Sequence, residues 1–371
     1  MTQLDSLLQI VDRAGHLPVV PLAGFPGLQI NRTTLKQNVF NWGVQFWTVF
    51  ELATRFQPDG VFPFMDLAIE ANALGLPVRF PINESPSVEE PMVRTQSDLT
   101  KFFSVDVLKD GRVTVAVETV RLMAQYLDAV VGAYVIGPYT LAALMIGATE
   151  AAMATMDDAG LLHETLAFCE HVISRYATAL VEAGAQVIAV LEPSATMLSP
   201  KQFREYSGLY VSKLVEGMAT PTILHICGDA THLIDAMVST GAQGLSLDAM
   251  VDLPAVAKSI PSDVVLLGNI SPTAVMVDMP PAGVYEKTRS LVEAMRPHRN
   301  FILSTGCDLP LETPLANIQA FMDAGRGRPL SVSAASAAGT VESAIAGQRR
   351  AIRKAQAILE VIESPWVRSH S

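Results

Sequence analysis

Eight short apolar runs, separated by longer stretches of helical periodicity, constrain the fold of this chain more than any other feature. The runs cover residues 17–22, 60–65, 132–136, 186–191, 222–225, 244–247, 264–267 and 301–304. Runs this short and this continuously apolar suit strands buried on both faces, as in a parallel sheet covered by helices. Amphipathic stretches at 161–182, 201–218 and 281–295 are each long enough to cross back over such a sheet. The alternation reads as βαβ units, and eight of them close a (β/α)8 TIM barrel. The chain has 371 residues, half of them hydrophobic, which suits one barrel domain over 1–371 with an N-terminal extension and lid-like insertions. One such insertion is the hairpin-like segment 76–82 with the Pro/Ser/Glu-rich stretch 83–91, read as an excursion over the barrel mouth.

Charge and cysteine usage narrow the function classes. The formal net charge is -11, against the clustered cations that nucleic acids and anionic membranes recruit. No run of about 18 uncharged apolar residues is present to span a bilayer. The first sixteen residues alternate charged and apolar positions in a helical pattern, unlike a secretory signal. Three widely spaced cysteines do not make a disulfide framework. These features predict a cytoplasmic enzyme.

The chemistry concentrates at strand ends. The run 222–225 ends in His225-Ile226-Cys227-Gly228, and residues i and i+2 of an extended chain project to one side. A second thiol, Cys307, follows the run 301–304 directly. All strands of a parallel barrel open their C-termini onto one face, so the three side chains can converge there. An imidazole and two thiolates suit Zn²⁺, whose catalytic sites keep one position open. Asp248, closing Gly244-Leu-Ser-Leu-Asp248, is the candidate displaceable fourth ligand. Cys169 sits inside a helical run and reads as a small buried apolar residue. His16, His163, His171, His232, His298 and His370 lack strand-end context and read as surface or structural.

Carboxylates also end strands. Glu192 closes 187–192, and Asp66 closes 61–66 with Glu70 one turn on. Low dielectric at a barrel mouth raises a carboxylate's pKa and equips it for acid–base or ligand-orienting work. Helix capping explains Asp66 equally well. Asn269, at the end of 264–269, is the candidate hydrogen-bond donor to a substrate. Trp42, Phe46, Trp47 and Phe64 offer an aromatic lining for a pocket, and Gly137-Pro138 would turn the Met/Ala-rich run 141–156 across the mouth.

These residues resemble a known family. His225-Ile-Cys227-Gly228, Leu245-Ser-Leu-Asp248, Leu267-Gly-Asn269-Ile270 and the run from Ser304-Thr-Gly-Cys307 through Pro314 to Asn317 are similar to the zinc methyltransferases of the uroporphyrinogen decarboxylase superfamily. That group includes methylcobalamin:coenzyme M methyltransferases and corrinoid-dependent demethylases. Gly137-Pro-Tyr-Thr-Leu141, Glu192-Pro-Ser-Ala195 and 66–75 fall in register too, so the likeness covers most of the chain. The resemblance implies a TIM barrel in which zinc activates a thiol such as coenzyme M, which takes the methyl group of a methylcobalamin. It also implies Asp248 as the oxygen ligand displaced by that thiol. The reverse direction, demethylation of an O-, S- or N-methyl donor onto cob(I)alamin, uses the same Lewis acid. Residues 17–32 hold one arginine, too few for the carboxylates of a porphyrinogen, which disfavours a decarboxylase-like lyase. A barrel with merely structural zinc is a further alternative, although such sites usually close with four protein ligands. Residue 223 is Ile, so the chain lacks the Asp-x-His-x-x-Gly motif for cobalamin. A separate corrinoid-binding protein must then present the methylcobalamin.

Overall fold

The computed structural model describes residues 6–157 and 159–331. Ten strands occur among them: β1 (Val19–Val20), β2 (Gly60–Val61), β3 (Val78–Arg79), β4 (Ser87–Val88), β5 (Val130–Ile136), β6 (Val187–Leu191), β7 (Thr222–Ile226), β8 (Gly244–Leu247), β9 (Val265–Ile270) and β10 (Phe301–Thr305). Eight are parallel neighbours in the order β1-β10-β9-β8-β7-β6-β5-β2. The seam between β1 and β2 is bridged by Asp59. Its N–H donates to the Val19 carbonyl at 3.1 Å, and its carboxylate accepts from the Val19 N–H at 2.8 Å. The result is a (β/α)8 barrel, and each of the eight apolar runs supplies one of its strands.

The boundaries differ for local reasons. The runs 17–22 and 60–65 shrink to two-residue strands because Pro21 follows β1 directly and Pro63 follows β2 after one residue, and proline has no N–H for a ladder. The runs at 264 and 301 extend further, to Ile270 and Thr305, so Asn269 and Ser304 still pair across the sheet.

Helices ring the barrel: α1 (Leu7–Arg13), α2 (Trp42–Phe56), α3 (Gly111–Tyr126), α4 (Pro138–Ile146), α5 (Gly160–Glu182), α6 (Leu209–Gly217), α7 (Pro281–Met295) and α8 (Leu315–Gly325). A capping box of Ser6 and Gln9 starts α1, each side chain satisfying a free N–H of the first turn. This helix lies under the N-terminal ends of the strands, with Leu7 and Val11 packed on Val20, Val187, Ile223, Val265 and Ile302. The opposite faces of the strands meet the outer helices in the main core.

One expected helix is broken, and the Met/Ala-rich run is divided. The stretch 201–218 is a turn at Pro200–Gln202, a wide π-type segment Phe203–Gly208, and then α6. The run 141–156 divides at Gly147 into α4 and a short helix Ala148–Ala154. The hairpin exists, with β3 antiparallel to β4 inside the β2–α3 connection. It is tied to the β1–α2 connection by a Lys36 N–H to Ile82 carbonyl bond of 3.0 Å and by Phe80 packing edge-on to Phe40. Of the four residues read as a possible aromatic lining, Phe46 and Phe64 are buried, Phe64 packs on Phe25 and lines a small cavity beside Asp66 and Arg112, and Trp47 stacks on Phe50. Helical periodicity turned α2's aromatics toward the core. His370 lies outside the described residues. Among the described residues no helix is long and apolar enough to cross a membrane.

Candidate metal centre

Strand β7 is buried throughout and ends where Cys227 and Gly228 turn into the mouth. There His225 Nε2 lies 3.0 Å from Cys227 Sγ, and Cys227 Sγ lies 3.3 Å from Cys307 Sγ beyond β10. The three donor atoms fall within 4.8 Å of one another. Two devices hold them. Ser246 Oγ is 2.9 Å from His225 Nδ1, which aims the other ring nitrogen at the sulfurs. Gly306 permits a close approach: a Cβ there would sit 2.6 Å from the Ala249 backbone nitrogen, so the loop after β8 presses directly on the turn leading to Cys307.

Electrostatics follow from that contact. The sulfur–sulfur hydrogen bond with Cys307 holds Cys227 below the ordinary thiol range. The same bond, with burial, pushes Cys307 up. Beside them Asp308 is raised well above the usual carboxylate range, first by burial and then by Cys307. Tyr134, reaching into the interior from β5, is raised by burial and by Asp308, Cys307 and Cys227.

The remaining candidates sit otherwise. Asp248 is outside the group of three: Oδ2 accepts from the Gly228 N–H at 3.1 Å and Oδ1 from the Met250 N–H at 3.1 Å. It shapes the turn after Cys227 and acts on that thiol through its charge. Asn269 is a correction. Both amide hydrogens of Nδ2 are spent on main-chain carbonyls, of Asp248 at 3.0 Å and of Val251 at 2.7 Å. It therefore pins the loop after β8 and has no side-chain donor left for a substrate.

Glu192 ends β6 fully buried, and burial raises its pKa to about 7. Its oxygens accept from the Tyr139 N–H at 3.0 Å, the Thr140 N–H and Oγ1 at 2.6 Å each, and Ser207 Oγ at 3.2 Å. It thus satisfies the free first turn of α4. Gly137 makes room, since a Cβ there would lie 2.4 Å from the Glu192 carboxyl carbon. Asp66 both accepts from the Ala68 N–H at 2.9 Å and pairs with buried Arg112; desolvation raises its pKa despite that partner. Glu70, pushed up to about 7 by burial, accepts from the Ile136 N–H at 2.8 Å. At Asp66 and Glu192 burial raises the pKa as anticipated, while backbone amides and side-chain partners occupy the carboxylates, as the capping alternative for Asp66 has it. Cys169 is a buried apolar neighbour of Met145, as expected.

Sequence reasoning missed Ser246, Arg112, Tyr134 and Asp308. A lone polar residue inside the apolar strand Gly-Leu-Ser-Leu was available as a signal for Ser246. Arg112 had none, since it stands one residue into α3 among ordinary helix formers.

The fold and the soft-donor cluster at its mouth define a (β/α)8 protein built around a candidate metal centre. A model of the uroporphyrinogen decarboxylase (URO-D) family matches residues 48–328, and the chain belongs to that family. It is 28% identical over 274 residues to the methylcobamide:CoM methyltransferase MtbA of Methanosarcina acetivorans, covering 71% of this chain and 78% of that protein. It is 26% identical over 284 residues to a uroporphyrinogen decarboxylase of Hydrogenovibrio crunogenus, covering 73% and 79%. A methyltransferase structure from Methanosarcina mazei superposes with a TM-score of 0.79 at 22% identity, over 86% of this chain and 96% of that one.

Proposed function

We propose that the chain is a zinc-dependent methyltransferase that moves a methyl group between a corrinoid protein and a small molecule, with a thiol as acceptor. The single observation that carries this reading is the convergence of His225, Cys227 and Cys307 within 4.8 Å. Relatives named methyltransferase and decarboxylase stand at 28% and 26% identity, too close together to choose between the branches. The donor set supports the methyltransferase reading: two sulfurs and an imidazole suit Zn²⁺, and three protein donors would leave one position for a substrate atom.

His225, Cys227 and Cys307 would hold the ion. Zn²⁺ bound there supplies Lewis acidity, which lowers a thiol's pKa enough to make thiolate at neutral pH. Ser246 fixes the ring of His225 so that Nε2 faces the sulfurs, as outer partners of metal-bound histidines do. His225 is buried while the two thiols are half-buried, so a substrate entering from the mouth meets the sulfur side of the cluster. Asp248 and Asn269 keep the loop after β8 in place beside it.

Metal analysis with a thiol panel tests the reading. Purified protein is expected to carry about one zinc per chain, and Cys307→Ala to lose most of it while keeping its circular dichroism spectrum. Methylcobalamin is expected to be demethylated by one or more small thiols in the panel. Full metal retention by Cys307→Ala overturns the ligand set. No turnover with any thiol turns the assignment to demethylation, assayed with methoxy, methylthio and methylamine donors and cob(I)alamin.

A further inference from the structure

We infer, on the proposed methyl-transfer reading, that the thiol acceptor carries no anionic group and that the Tyr134 hydroxyl receives its uncharged polar tail. Coenzyme M, a thiol with a sulfonate tail, falls outside that class. Tyr134 stands on β5 and is 7% exposed. Phe62 stacks on its ring with 4.9 Å between centroids, and Asp308, Cys307 and Cys227 are the ionisable groups that act on its phenol. A buried tyrosine hydroxyl usually finds a partner, yet that of Tyr134 makes no hydrogen bond among the described residues. Asp308 is only half engaged. Its Oδ1 accepts from the Gly24 N–H at 3.3 Å and the Leu309 N–H at 3.0 Å. Its Oδ2 is buried without a partner in bonding geometry, the Met65 N–H acting on the carboxylate more weakly. Two polar groups beside the thiols thus keep capacity for a hydrogen-bonding ligand.

No cation accompanies them. The ionisable groups acting on Cys227 are Cys307, Asp248 and Asp308; those acting on Cys307 are Cys227 and His225; the one acting on Asp308 is Cys307. The stretches that follow β5 to β10 toward the mouth, 137–157, 192–199, 227–233, 248–252, 271–280 and 306–314, contain no lysine or arginine. His232, within them, is turned to the Leu198 carbonyl at 3.0 Å. On the seam side Arg112 is paired with Asp66, and every lysine and arginine between residues 23 and 110 is exposed. Charged or protonated, Asp308 and Asp248 supply no positive charge. Among the described residues, a tail lying anywhere beside the two sulfurs therefore meets polar groups without a counter-ion for an anion.

The ion's own charge strengthens the selection. Zn²⁺ held by two thiolates and a neutral imidazole is electrically neutral, and a substrate thiolate in the open position makes the centre negative. A sulfonate or carboxylate a few bonds away adds a second negative charge in a half-buried site, where low dielectric enlarges both repulsion and desolvation cost. A hydroxyl or amide tail meets neither penalty. It also gives the Tyr134 hydroxyl the partner that the chain itself does not provide.

Two thiols of equal carbon count, 2-mercaptoethanol and 2-mercaptoethanesulfonate, test this on the zinc-loaded full chain. In calorimetric titration without corrinoid, the neutral thiol is expected to bind roughly tenfold or more tightly. The same preference is expected in kcat/KM for methylcobalamin demethylation. Tyr134→Phe is expected to keep zinc content and the circular dichroism spectrum. Its KM for 2-mercaptoethanol is expected to rise roughly two- to tenfold with kcat nearly constant. Equal or tighter binding of the sulfonate by the wild type overturns the inference. An unaltered KM in Tyr134→Phe overturns the role of the hydroxyl. If no thiol binds the zinc protein and none is methylated, the thiol-acceptor reading itself has failed, a result distinct from a reversed preference.

Discussion

Two sets of side chains stand in or just beyond strand ends of this barrel, and they are built differently. The carboxylates Asp66, Glu70 and Glu192 are saturated by main-chain N–H groups, hydroxyls or Arg112. His225, Cys227 and Cys307 are oriented from outside by Ser246 and otherwise face one another. Position at a strand end was therefore a poor guide to chemistry, and the partner inventory a good one. A saturated carboxylate fastens an element, whereas three unsatisfied soft donors make a place for a ligand. Three perturbations separate the two sets.

The largest expected effect is in the carboxylate set. Arg112→Met leaves Asp66 buried without its cation, which costs about 3–5 kcal/mol in urea unfolding at pH 8. Zinc content is expected to be unchanged. Loss of metal in that variant would merge the two sets into one functional unit.

Next comes Glu192. Its folded-state pKa of about 7 stands above the ordinary glutamate value of 4.5, so its contribution is fully present below about pH 4.5 and is lost as pH rises through 7. Glu70 shifts in the same direction. A shift of that size corresponds to on the order of 3 kcal/mol per carboxylate. The melting temperature is expected to fall between pH 5 and 8, and Glu192→Gln to flatten that fall. An identical slope in the variant would show that Glu192 ionises without penalty.

The smallest effect is in the cluster. Ser246→Ala is expected to weaken zinc binding about 10–100-fold in a chelator competition with little change in melting temperature. Unaltered affinity would mean that the fold alone orients His225.

Much of this was legible beforehand, and the reason is periodicity. Eight apolar runs mapped onto eight barrel strands because hydrophobic patterning survives without knowledge of the neighbours. The trio His225, Cys227 and Cys307 was legible because period two and a common strand face are local rules. The partners of Asn269 and Glu192 were not legible because they lie in other elements: Val251 for one, Tyr139, Thr140 and Ser207 for the other. Arg112 was invisible for the same reason, since its partner is 46 residues away. The breaks in 201–218 and 141–156 carried weaker signals, one of them the single Gly147.

The seam between β1 and β2 has a mechanical consequence. The wall from β5 through β10 is laced by strands of four to seven residues, while β1 and β2 have two each and meet through Asp59. Like a hoop cut at one point and pinned, the ring yields first at its pin. Among the barrel strands, amide exchange should accordingly be faster at 19–20 and 60–61 than at His225, deep in the laced wall. The metal centre is thus anchored chiefly in the stiff arc, and the hairpin insertion is hung from the compliant one, so the mouth can flex on one side without disturbing the ligands on the other.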